Sequence, residues 1–190
     1  LLESAEFNEH VVCCPDFSYT DRFPRPGESV RGHHFYQGNG GKGANQAVAA
    51  ARLGAEVSLI ARVGDDVFGR LNVENLEKAG VDTKGVERST TSHTATATIT
   101  VTADGENCIV VTLGANMELD EAVADRQEEI IKSGAIVIGQ GEVPEGGNRR
   151  AFELAKKHGV RTFFNPAPGD PKLDKSILSL VDILCVNENE

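Results

Sequence analysis

The chain has 190 residues, 39% hydrophobic and 25% charged, with a formal net charge of −10 at pH 7. That length suits one domain with a sizeable core. The acidic balance argues against nucleic acid or an anionic membrane as partner, and no run approaches the ~20 apolar residues of a membrane span. Residues 1–10 lack a signal-peptide core, so a cytoplasmic location, or cytoplasmic and nuclear, is expected. Cys13, Cys14, Cys108 and Cys185 show no metal spacing and are expected to be buried, reduced thiols.

In chain order, residues 11–14 predict a short first strand. Residues 19–37, turned by Pro24, Pro26 and Gly27, offer strands outside the main sheet. Next comes Gly40-Gly41-Lys42-Gly43-Ala44-Asn45-Gln46-Ala47, the most informative run, leading into a helix over 43–53. Glycine lets backbone N–H groups approach a ligand, and a helix start adds unpaired donors. Lys42 and Asn45 add side-chain donors, which together suit a hydroxyl-rich or anionic small molecule.

Two generic motifs compete for this run. Gly38-Asn39-Gly40-Gly41-Lys42-Gly43 matches the dinucleotide fingerprint in letters, with Asp65 near the ribose-binding offset. The preceding segment, with Arg31, His33, His34 and Gln37, is poor material for a buried strand, so nicotinamide binding is the least favoured alternative. A Walker-type loop fails because Gly43, not Ser or Thr, follows Lys42.

Residues 56–62 predict a strand and 67–79 a helix ended by Gly80. Residues 92–103 alternate strictly, with Thr94 to Thr102 on one face and Ala95, Ala97, Ile99, Val101 and Ala103 on the other. Asp104-Gly105 then turns the chain into a second strand over 107–113. Residues 120–133 predict a helix, 135–138 a strand, 145–158 a helix stopped by Gly159, and 161–164 and 182–186 further strands. Strands alternating with helices make this an α/β fold with a parallel sheet.

These segments resemble the ribokinase, or PfkB-type, carbohydrate kinase family. The resemblance rests on the 40–47 run, then Ala51-Arg52-Leu53-Gly54-Ala55, Arg62-Val63-Gly64-Asp65-Asp66 and Phe68-Gly69. It continues through Leu113-Gly114-Ala115-Asn116, Gln140-Gly141-Glu142, Asn165-Pro166-Ala167-Pro168 and Asn187-Glu188-Asn189-Glu190. It implies a ribokinase-like parallel sheet flanked by helices, incomplete here, with a small β-sheet lid. The lid would comprise 16–39 and 92–113, and the core 40–91 and 114–190, in one partial domain over 1–190.

The implied reaction moves the ATP γ-phosphoryl group to O5 of D-ribose, with Mg2+, a monovalent cation (K+) and a homodimer joined through the lid. Gly41, Lys42 and Asn45 match the family's sugar-contacting turn, and Glu142 its sugar-binding acid at a strand end. Ala95 or Ala97 would line the sugar from the lid, while Asn187 and Glu190 match a nucleotide and magnesium motif. After the first strand the family carries Gly-Ser, then Asn and Asp; here Cys13-Cys14-Pro15-Asp16 stands instead, with Asp16 the candidate sugar ligand. The family's general-base stretch, Asp-Thr-x-Gly-Ala-Gly-Asp, is absent, so the 190 residues alone are expected to be inactive. The alternative is a non-catalytic module that binds sugar and dimerises.

Overall fold

The computed structural model describes residues 12–188. In chain order its elements are β1 (Cys13–Thr20), β2 (His34–Gln37), α1 (Lys42–Arg52), β3 (Ala61–Gly64), α2 (Val67–Lys78), β4 (Val86–Ser89), β5 (Ala95–Thr102), β6 (Asn107–Thr112), α3 (Glu121–Arg126), α4 (Glu128–Ser133), β7 (Ile136–Gln140), α5 (Glu145–Lys157), β8 (Arg161–Asn165) and β9 (Ile183–Leu184). Turns of 3-10 helix cover Gly114–Glu118 and Lys175–Leu180.

Among the described residues three sheets form: β2-β1-β5-β6, the parallel pair β3-β4, and the parallel β7-β8-β9. The first is the lid. Its β5–β6 hairpin is antiparallel as the alternation predicts, but its centre is a parallel pairing of β1 with β5, from Cys13↔Ala95 to Thr20↔Thr102. The expected four-residue first strand therefore runs without a break out of the core and into the lid. Ala95, Ala97 and Ile99 are buried against the core, whereas Thr98 on the opposite face is exposed.

Other expectations need correction. The helix expected over 120–133 divides at Gln127, where Arg126 and Gln127 both donate to the Glu87 carboxylate on β4. The strand expected over 56–62 is regular only from Ala61. Before that, Leu59 N–H donates to the Asp82 carbonyl and Asp82 N–H to the Val57 carbonyl, a loop edge standing in for a strand. β4 was not anticipated. Cys13 and Cys14 are buried as expected, but Cys108 and Cys185 are exposed, because they lie on the outer strand β6 and beyond the edge strand β9. The core itself follows the apolar periodicity. One cluster centres on Phe152, Phe164 and Leu154 of α5 and β8, the other on Leu59, Leu76 and Val63 beneath α1 and α2.

Candidate functional site

Gly41 caps α1 with φ 100°, a left-handed conformation that only glycine adopts without strain. The preceding glycines serve β1. Gly38 N–H donates to the Pro15 carbonyl at 2.9 Å, and Gly40 and Cys13 exchange backbone bonds at 2.8 Å. These N–H groups are thus occupied rather than presented to a ligand. A Cβ on Gly38 would press the Pro15 ring at 3.3 Å, so the glycines make room for a proline that removes one donor from the turn.

From this turn Lys42 reaches across to Glu142, Nζ to Oε1 2.6 Å, with the lysine side chain 42% and the glutamate 14% exposed. Glu142 stands just past the C-terminal end of β7, the edge where open α/β sheets place ligands. Gly141 brings it there. Its N–H donates to the Asn165 carbonyl, and a Cβ would meet the Pro166 carbonyl oxygen at 2.2 Å.

Between turn, acid and lid lies a cavity of about 510 Å³. Its polar end is Gly41, Lys42, Asn45 and Glu142; its apolar wall is Cys13, Pro15 and Phe17 of β1, Tyr36 of β2, Ala97 and Ile99 of β5, and Ile109 and Val111 of β6. Such a mixture suits an uncharged, hydroxyl-bearing ligand held at one end and shielded from water at the other. Burial, then the neighbouring Cys14, Glu142 and Asp16, push the Cys13 thiol up to about 12, so it is a neutral wall group.

The structure brings four of the sequence-predicted residues together: Gly41, Lys42, Asn45 and Glu142. Ala97 joins them from the lid, while Ala95 is fully buried and lines no part of the cavity. Asp16 is placed elsewhere. In a strand, successive side chains alternate faces, so with Pro15 and Phe17 on the cavity wall Asp16 points away and accepts from Gln37 Nε2 at 2.8 Å. Asn187 lies exposed after β9, and Glu190 is outside the described residues. Among the described residues no group of three or more His, Cys, Asp or Glu side chains is gathered to hold a metal ion.

Sequence reasoning missed Cys13, Pro15, Phe17 and Tyr36 as wall residues. The period-two pattern 13, 15, 17 was the available signal, but it requires knowing that β1 continues past Pro15. Conversely, two motifs in the family match are scaffold here. Asp66 accepts from Gly69 N–H at the start of α2 and from both Thr94 N–H and Thr94 Oγ1 at the root of β5. Asn116 bonds Val12 N–H and carbonyl at 3.3 Å, clamping the chain before β1. For the dinucleotide alternative, β2 precedes the glycine run as an exposed strand at the margin of the lid, which is the wrong context.

A family model described as pfkB family carbohydrate kinase matches residues 13–190. The chain is 39% identical over 179 residues to the ribokinase of Mus musculus, covering 94% of this chain and 55% of that protein. It is equally 39% identical, over 173 residues, to the deoxyribokinase of Salmonella typhimurium, covering 91% and 56%. Among solved structures, Arabidopsis thaliana ribokinase complexed with ribose and ATP superposes with a TM-score of 0.91 at 29% identity, over 98% of this chain and 61% of that one. The chain thus spans about half the length of the curated relatives it matches.

Proposed function

Because this chain belongs to the pfkB family of carbohydrate kinases, we propose that its cavity is the pentose site of a ribokinase-type enzyme. The whole protein would transfer the ATP γ-phosphoryl group to O5 of D-ribose, giving D-ribose 5-phosphate. The observation that carries this reading is the meeting of Lys42 and Glu142 at 2.6 Å over the polar end of the cavity. A carboxylate accepts from two adjacent hydroxyls and an ammonium donates to a third oxygen, so a pentose entering between them replaces one ion pair with several charge-assisted hydrogen bonds. Over a bound sugar the apolar lid wall would exclude water, strengthening those bonds and protecting a phosphoryl donor from hydrolysis. Ribose and ATP are the ligands of the Arabidopsis structure; the 39% identity to a deoxyribokinase leaves 2-deoxyribose as the competing pentose.

ATP with Mg2+ would supply the phosphoryl group and neutralise its charge. Of the residues assigned to that side, Asn187 is exposed and Glu190 lies outside the described residues. Because the family's general-base stretch is absent from them, the 190 residues by themselves would bind the sugar without turning over ATP.

Calorimetry with D-ribose and 2-deoxyribose, beside a coupled ATP assay, tests this. Ribose is expected to bind, and Glu142→Gln to weaken binding about ten- to a hundredfold, the range for losing a charged hydrogen-bond acceptor. No heat from either pentose overturns the site; ribose-dependent turnover by these 190 residues overturns the inactivity. A second reading, a sugar-binding module that dimerises through the lid, is favoured by the lid's exposed apolar residues, Phe35, Tyr36, Ile109, Val110 and Val111.

A further inference from the structure

Lys42 and Glu142 lie 100 residues apart in sequence, yet the elements carrying them are joined by a buried amide link. Gln46 sits one turn beyond Lys42 on α1, and Gln140 ends β7 two positions before Glu142. Gln140 Nε2 donates to Gln46 Oε1 at 2.7 Å, and Asn148 Nδ2 on α5 donates to the Gln140 carbonyl at 2.6 Å. Gln140 is fully buried and Asn148 is 2% exposed. The link is a poor stabilising device, because Gln140 Oε1 and Asn148 Oδ1 are buried and find no hydrogen-bond partner among the described residues. An orphaned buried acceptor destabilises a fold, and an apolar side chain of similar volume would fill the space of Gln140 without one.

We propose that Gln46 and Gln140 are positioning residues whose amide link fixes the spacing of Lys42 and Glu142 across the cavity. The link sets geometry and adds no net stability. This rests on the pentose reading of the cavity but acts upstream of it. The elements also pack through apolar side chains, among them Val48 of α1 and Ile138 of β7; the amide link adds a buried directional contact behind the Lys42–Glu142 pair, and such a contact sets how far along its axis α1 sits relative to the end of β7.

The test is Gln140→Met, with Gln46→Met as the second variant because Gln46 is half-buried and its partner can be lost with less disturbance. In Q140M the urea midpoint should equal or exceed that of the unmodified chain. D-Ribose affinity should fall about tenfold, the loss expected for one geometry-setting hydrogen bond. A crystal structure should show Lys42 and Glu142 separated beyond about 4 Å, the limit of an ion pair. The double variant should bind no more weakly than the weaker single one, since both remove the same link. Unchanged affinity with the ion pair intact in either variant overturns the proposal, as does lower stability with affinity intact. A Q140M chain that fails to fold overturns the stability claim, and Q46M then decides positioning by affinity and distance. If the unmodified chain binds no ribose, the pentose reading falls, while the Lys42–Glu142 distance in Q140M still decides the positioning claim.

Discussion

Cys13 and Cys14 open β1 side by side, and burial, the first cause for both, pushes their thiols up to about 12 and about 11. Asn72 donates to Cys14 Sγ at 2.8 Å and partly opposes the shift. The thiolate is the nucleophile, so a raised pKa together with burial makes both inert near neutrality. Cys108 and Cys185 are exposed. Iodoacetamide at about pH 8 should therefore label the folded chain at Cys108 and Cys185 only, and all four cysteines in denaturant, as read by peptide mass. Labelling of Cys13 in the folded chain would contradict its burial and its raised thiol pKa. The sequence pattern placed all four thiols in apolar runs, and an apolar run says nothing about whether its strand lies at a sheet margin.

At the level of elements, Asp66 joins α2 to β5. Burial alone would raise its carboxyl, but hydrogen bonds from Thr94 N–H, Gly69 N–H and the Thr94 hydroxyl outweigh it and hold the pKa below the usual range. Gly64 and Gly69 let this corner close, since a Cβ on Gly64 would meet Thr94 N at 2.5 Å and one on Gly69 the Gly64 carbonyl oxygen at 2.3 Å. Asp66→Ala removes a helix cap and strands the Thr94 N–H, so urea unfolding should show a loss of about 2–3 kcal/mol. Because the folded-state pKa is depressed, the contribution is full above the ordinary carboxylate range and disappears as pH falls through the folded value. As pH falls below the ordinary carboxylate range, the unmodified chain should thus lose stability more steeply than Asp66→Asn, which keeps the cap but does not titrate. An equal slope in both would remove Asp66 from the account. Here the sequence was partly legible: Gly64-Asp65-Asp66 reads as a turn before a helix, but its bond to Thr94, 28 positions on, is not a local signal.

Across the whole molecule, the lid leaves β6 exposed along its length as a margin strand, with Ile109 and Val110 on its two faces at 51% and 63% exposure. Unpaired strand margins with apolar side chains invite pairing with another chain. A dimer joined through the lid should appear in sedimentation at about micromolar concentrations, and I109K/V110K, which sets a charge on each face of the margin strand, should return it to monomer. A monomer at every concentration would end the dimer proposal. The sequence by itself determined the α/β class, a helix opening at the end of the glycine run (predicted from Gly43, found from Lys42) and the lid hairpin, because turns, caps and period-two faces are encoded within a few neighbouring residues. Only the tertiary structure decided that Lys42 and Glu142 meet, that Gln140 links the elements behind them, and that Asp16 turns away from the cavity beside Pro15. Those outcomes depend on the long-range register of β1 against β5 and of α1 against β7, and a shift of one residue in a strand exchanges its faces.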